Sequence, residues 1–338
     1  MNAARYIGNR SLEVVDVEAT PPAAGEVQLD VAYTGICGTD LHILHGAMDA
    51  RVTMPAVLGH EMAGRVSSIG EGVEGWSVGD PATVMPLVSC GVCPACRSGA
   101  SHICYRLIFL GIDAPGSMQS YWNVPADVLV RLPSELALQT AALAEPTAVA
   151  VHDVRRSGLV AGERAVVVGA GPIGLLIANV ARSVGAEVAI FEPNALRRDV
   201  ASSLGLETVD PLAEEPGAWV ESWTEGAGAS VAFEVSGSEA GMATAISCLG
   251  ARGRAVVVGI HATPPSVDLF RVFWRELTLI GARVYEREDY EEAVRLLAAG
   301  AIPSDTLITD VVALDGVVEA FRAMDAGESM KILIDCGS

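Results

Sequence analysis

The segment Gly169-Ala170-Gly171-Pro172-Ile173-Gly174 constrains this 338-residue chain more than any other. It follows a short apolar run, Ala165 to Val168, and opens a stretch from Pro172 to Val184 that reads as a helix. Strand, glycine turn and helix in that order form the context that a dinucleotide-binding fingerprint requires. Gly169 makes the turn, Gly171 lets backbone approach a pyrophosphate, and Gly174 permits close helix–strand contact. Pro172 and Ile173 lie at the helix N-terminus, which supplies the positive end of a dipole. Glu192 ends the next strand, Glu187 to Phe191, and is placed to accept from a ribose 2′-hydroxyl. A carboxylate there repels a 2′-phosphate, so NAD is preferred over NADP. Arg197 and Arg198 temper that choice, since either could meet a 2′-phosphate or simply be a solvated helix position.

The same alternation continues after the turn's first helix. Ala195 to Leu204 reads as a helix, Ser230 to Val235 and Ala255 to Ile260 as strands with a helix between them, and Leu277 to Val284 as the last strand. A doubly wound parallel sheet of six strands is expected. Before it, the chain is different. Glu26 to Tyr33, Ala63 to Ile69 and Pro81 to Met85 read as short strands punctuated by glycine and proline, and Ala141 to Arg156 as a helical bridge. After Tyr285, a helix (Glu291 to Ala299) and strands at Leu307 to Val312 and Lys331 to Asp335 return to the earlier style. The α/β fold is therefore expected to place a dinucleotide domain, 146–284, inside a discontinuous β-rich domain made of 1–145 and 285–338.

Composition narrows the setting. With 51% hydrophobic residues and 35 glycines the chain suits an α/β protein with buried strands. No apolar run approaches the roughly 20 residues needed to cross a bilayer. Met1 to Tyr6 lacks the apolar core of a signal peptide, and a cytoplasmic protein with no membrane partner is expected. A formal charge of −20 argues against nucleic acid, which needs a basic face. Seven cysteines, an odd number, fit metal ligation in a reducing compartment better than a disulfide framework. Only one of the 22 basic residues is lysine, Lys331, and its place in an apolar strand argues against catalytic-lysine chemistry.

Four of the cysteines, Cys90, Cys93, Cys96 and Cys104, lie within fifteen residues. Four thiolates from one lobe can close a tetrahedral zinc site, and with every position filled by protein such a metal does no chemistry. The seven-residue gap before Cys104, and Tyr105 after it, do not match an iron–sulfur run. Cys37 stands apart, in Gly35-Ile36-Cys37-Gly38-Thr39-Asp40-Leu41-His42. His60 and Glu61 follow Gly59, and Glu145 precedes Pro146. A thiolate, an imidazole and one or two carboxylates suit zinc with an exchangeable position. Spacing alone does not join positions 37, 60 and 145 in space.

These segments, with Val78-Gly79-Asp80, the Gly169–Gly174 turn and Glu234-Val235-Ser236-Gly237, resemble the zinc-dependent medium-chain dehydrogenase/reductase family over nearly the whole chain. The nearest branch is that of sorbitol, 2,3-butanediol and threonine dehydrogenases. The resemblance implies a GroES-like catalytic domain beside a Rossmann domain, two zinc ions and NAD. It makes Cys37, His60 and Glu61 ligands of a catalytic zinc, with Glu145 either a fourth ligand or a carboxylate holding the metal's water. Asp40 would orient His60. Thr39 and His42 fall where family members pass the substrate proton, by way of the nicotinamide ribose, to imidazole and solvent. The implied reaction is hydride transfer between NAD and a secondary alcohol or ketone, with a diol, polyol or hydroxy amine as substrate and a homodimer or homotetramer as assembly. The rival classes are a zinc-independent quinone or enoyl reductase and a non-catalytic binding protein on the same fold. Gly116 to Trp122 departs from the branch pattern, so Met118 and Trp122 either shape an unusual pocket or pack as core. His45, His102, His152 and His261 match no ligand position, although His45 could border the pocket.

Overall fold

The computed structural model describes residues 1–337, which fall into two compact units. The first contains Met1–Glu145, Glu286–Gly300 and the chain from Ser304 onward; the second contains Pro146–Tyr285 and Ala301–Pro303. The division falls inside the helix Ala144–Ser157, just after Glu145.

The first unit is built around a seven-stranded sheet. Its longest strand, Glu26–Gly35, carries Val27, Leu29 and Val31 with no exposed surface, the alternation of a strand with one buried face. Each such side chain stabilises the fold by roughly 1.5–3 kcal/mol. Along one edge this strand pairs antiparallel with Glu61–Ile69. On its other edge it pairs first with Tyr121–Pro125 and then with Lys331–Asp335. The registers set Glu61 opposite Gly35, and Gly35 opposite Leu333. Since side chains two apart share a face, Lys331 comes to the Glu61 end of the sheet. The helix Arg287–Ala298 packs here through Tyr290, whose hydroxyl reaches Val84 O and Thr83 Oγ1, both at 2.9 Å. Thr83 in turn donates to Met62 O at 2.6 Å, pinning the strand one residue beyond Glu61. Met118 and Trp122 settle as core: they are 0% and 2% exposed, and the Trp122 indole donates to Pro115 O.

The second unit holds a six-stranded parallel sheet in the spatial order Glu207–Val209, Glu187–Phe191, Arg164–Val168, Ala229–Glu234, Leu249–Val257, Thr278–Gly281. The order reverses between Arg164–Val168 and Ala229–Glu234, the switch point at which such sheets bind dinucleotides. Two strands differ from expectation. The run expected at Ala255 to Ile260 begins at Leu249 and stops at Val257, because Val258 and Gly259 both donate to Glu234 O, turning the chain over the neighbouring strand's end. The run expected at Leu277 to Val284 shortens to Thr278–Gly281, and Val284 adopts φ 50°, a left-handed backbone that a strand cannot contain. Among the described residues no helix is long and apolar enough to cross a membrane.

Candidate active site and metal centres

Cys37 is the N-cap of the helix Gly38–Leu44, and its N–H donates to Asp40 Oδ2 at 2.9 Å. His60 enters from the loop before Glu61–Ile69. That loop is held by close backbone packing: a methyl group at Gly111 or at Gly116 would stand 2.3 Å from Gly59 O. The His60 ring meets Phe109 edge-on at 5.2 Å. Glu61 lies over Gly35, where a methyl group would stand 2.3 Å from Glu61 Oε2, so only glycine leaves room for the carboxylate.

These elements bring one donor atom each of Cys37, His60 and Glu61 within 4.8 Å of one another. Glu145 is buried at the start of its helix and stands outside that trio, although its charge is felt by His60. Burial depresses the His60 imidazole, but the negative charges of Asp40, Cys37 and Glu145 outweigh it and hold its pKa well above the ordinary histidine value. Asp40 faces His60 Nδ1 across 3.8 Å, and among the described residues neither Asp40 Oδ1 nor His60 Nδ1 has a hydrogen-bond partner. A buried anionic pocket with a thiolate, an imidazole and a carboxylate converging on one point fits a divalent cation such as zinc.

One residue in this pocket escaped sequence reasoning. Lys331, 3% exposed, donates to Glu61 Oε1 at 2.9 Å, Glu61 Oε2 at 2.6 Å and Ile36 O at 2.9 Å. Burial pulls its ammonium down, yet the charges of Glu61, Cys37 and Glu145 raise its pKa above the ordinary lysine value. The usable signal was a lone lysine heading an otherwise apolar strand, since a buried charge requires a partner. Thr39 and His42 lie three apart on one helix, hence on one face, with Thr39 half-buried and His42 exposed. His45 pairs with Asp325 at 3.1 Å, and His261 with the buried Glu234 at 3.0 Å.

The cysteine lobe is a separate cluster. Sγ atoms of Cys90, Cys93, Cys96 and Cys104 all lie within 4.8 Å of one another, and all four thiols are free. Cys93 Sγ is 3.4 Å from Cys96 Sγ and 3.8 Å from Cys104 Sγ. Zinc–sulfur bonds of about 2.3 Å at tetrahedral angles put sulfurs ~3.8 Å apart, so the lobe fits zinc. Backbone N–H groups of Cys90 and Arg106 reach Cys104 Sγ at 3.3 Å, and the Arg106 guanidinium approaches Cys90 Sγ at 3.5 Å. Backbone N–H donation near Val92 is the leading reason the Cys90 thiol titrates at about 6.

In the second unit Gly169 has φ 111°, and a methyl group at Gly174 would stand 1.9 Å from Gly169 O. Gly171 has open space where a side chain would project, and Pro172 starts the helix Pro172–Val184. Glu192 is 4% exposed, accepting from Ala170 N at 2.7 Å and Asn194 N at 2.8 Å. It therefore braces the glycine turn, with both carboxylate oxygens held by backbone N–H groups. The Arg198 guanidinium is committed to Glu192 O, Pro193 O and Asp210.

Residues 23–134 match the family model described as an alcohol dehydrogenase GroES-like domain, and residues 172–299 that of a zinc-binding dehydrogenase. The chain is 51% identical to the 2-dehydro-3-deoxy-L-galactonate 5-dehydrogenase of Pseudoalteromonas atlantica, over 100% of its own length and 99% of the relative's. It is 34% identical to the L-threonine 3-dehydrogenase of Pyrococcus horikoshii, over 95% of this chain and 94% of that one. The crystal structure of 2R,3R-butanediol dehydrogenase from Bacillus subtilis superposes with a TM-score of 0.92 at 32% identity, covering 99% of both chains. The chain belongs to the zinc-binding dehydrogenases of the medium-chain dehydrogenase/reductase family. It is an oxidoreductase that exchanges hydride between a nicotinamide dinucleotide and a secondary alcohol or ketone.

Proposed function

We propose that the chain oxidises a secondary hydroxyl of a 2-dehydro-3-deoxy sugar acid, with NAD as acceptor. The 51% identity over the full length to a dehydrogenase of such an acid carries this reading, against 34% to the threonine enzyme. The first unit, with its GroES-like match, is read as the catalytic domain, and the second as the NAD domain. Two zinc ions per chain are assigned, one in the cysteine lobe and one at Cys37, His60 and Glu61 with Glu145 nearby. Bound there, zinc supplies a Lewis acid that acidifies a hydroxyl, and NAD supplies the hydride acceptor.

The chain's own residues do the rest. Asp40 fixes Cys37 through its N–H and faces His60, setting two of the metal's donors. Gly35 and Lys331 seat Glu61. Thr39 accepts the substrate proton as it gives up its own toward the nicotinamide ribose, and His42, exposed on the same helix face, receives the relayed proton and releases it to water. Glu192 rejects a 2′-phosphate and holds the turn against which the pyrophosphate lies. An assembly of two or four copies is supported by the short edge strand Thr278–Gly281 and by Phe270, Phe273 and Trp274 nearby, each more than 70% exposed. A cytoplasmic location is the reading that the reduced cysteines favour.

The test is NADH formation with 2-dehydro-3-deoxy-L-galactonate, L-threonine, 2R,3R-butanediol and xylitol under identical conditions. The highest kcat/KM is expected with the sugar acid; a higher value with any other overturns the substrate reading. For the cofactor, Glu192→Ala should weaken use of NAD by about 1–3 kcal/mol in kcat/KM, the range for losing a buried hydrogen-bond partner. Because Glu192 also braces Ala170, NADP use should gain less than NAD use loses. A parent that prefers NADP refutes the NAD reading.

A further inference from the structure

The ammonium of Lys331 has three protons, and all three are placed: two on the carboxylate of Glu61 and one on the carbonyl of Ile36. Ile36 directly precedes Cys37, so one buried cation ties the Glu61 carboxylate to the backbone beside the thiolate donor. It is the only lysine among 22 basic residues, at a position 3% exposed. Around a doubly charged ion, the Cys37 thiolate with Asp40, Glu61 and Glu145 would leave two negative charges uncancelled, and Lys331 offsets one of them.

Both Glu61 oxygens are engaged by the ammonium. Each Glu61 oxygen accepts one proton of the ammonium and keeps a second lone pair, so an oxygen that moves further onto the metal stretches its contact with Lys331, and the close approach to Gly35 limits that movement. We propose that Lys331 is a positioning residue that restrains Glu61, so that the metal held by Cys37 and His60 keeps a position open for substrate. This rests on the reading of Cys37, His60 and Glu61 as the catalytic metal site. Without the ammonium, Glu61 becomes a buried carboxylate whose remaining cation is the metal. It then closes onto the metal, and the site becomes tighter and less reactive.

The test uses the zinc-loaded protein and its Lys331→Met, Lys331→Arg, Glu61→Gln and Glu61→Gln/Lys331→Met variants. Release of the non-lobe zinc to a chelator should slow in Lys331→Met by roughly 10- to 100-fold, the usual size of an outer-sphere effect, while kcat falls. In protein loaded with cobalt at this site, the visible band should weaken as coordination number rises. Lys331→Arg, which keeps a cation on the carboxylate, should return both readouts toward the parent. With Glu61 neutralised, Lys331→Met should change zinc release no more than about twofold, since coupled residues lose their effect together. That pair also serves if Lys331→Met alone fails to fold. Unchanged or faster zinc release in Lys331→Met, or the same slowing in the Glu61→Gln background, overturns the proposal. A parent that holds zinc only in the cysteine lobe overturns the metal-site reading itself.

Discussion

The cysteine lobe and the Cys37–His60–Glu61 centre are both clusters able to hold a metal, in one unit, yet they are built on opposite principles. The lobe takes four like donors from one short segment, braces them with backbone N–H groups and a surface arginine, and leaves no position for a substrate. The other centre takes three unlike donors from two separated segments, and its negative charge is partly offset by a lysine from another strand of the sheet. A closed site can be local, because uniform soft ligands suffice. An open site needs opposed restraints, so it recruits elements that only the tertiary fold brings together.

The largest expected effect is at the open centre. Cys37→Ser should reduce turnover to background and lower zinc content by about one per chain. Folding and dinucleotide binding should persist, because the glycine turn and Glu192 belong to the other unit; full activity with the metal lost would break the distinction between the two sites. Cys93→Ser should act first on stability, removing on the order of several kcal/mol of metal-linked folding energy, read as a lower Tm. A variant as stable as the parent but inactive would mean that the two roles are exchanged. His42→Ala should slow kcat about 10- to 100-fold near neutral pH, the usual range for general acid–base groups. Part of the rate should return as pH rises, because hydroxide then takes the proton; a pH-independent loss would make His42 structural. The smallest effect expected is from Gly35→Ala. Its new methyl, 2.3 Å from Glu61 Oε2, should cost about 1–3 kcal/mol by overpacking and loosen the non-lobe zinc while sparing the lobe. Equal loss of both metals would show a general defect instead.

Much of the second unit was legible because its strands are apolar runs fixed by local patterning, and Pro172–Val184 and Glu187–Phe191 match the expected bounds. Glu207–Val209 was not, since a three-residue edge strand with one buried side chain leaves no run to see. The last strand was read too long because apolar residues continue past Gly281, whereas the backbone at Val284 turns left-handed. The metal donors could be nominated one by one from residue chemistry and family likeness. Lys331 offered only its solitary charge at the head of an apolar run; its partner could not be named, because that lies in a register, Leu333 beside Gly35 beside Glu61, that no local pattern encodes. Met118 and Trp122 stood out as departures from the branch pattern, but they proved to be packing.

The pairing of Lys331 with Glu61 also imposes a chronology. The two residues are 270 positions apart, whereas Cys90 and Cys104 are separated by 14. A chain emerging from the ribosome can assemble the lobe as soon as that segment is free, but Lys331 arrives only when the strand Lys331–Asp335 docks beside Glu26–Gly35. Until then the buried carboxylate next to the second centre has no counter-cation. If both clusters hold zinc as proposed, the lobe can take its ion while the chain is still growing, whereas the second centre is complete only after the sheet is finished.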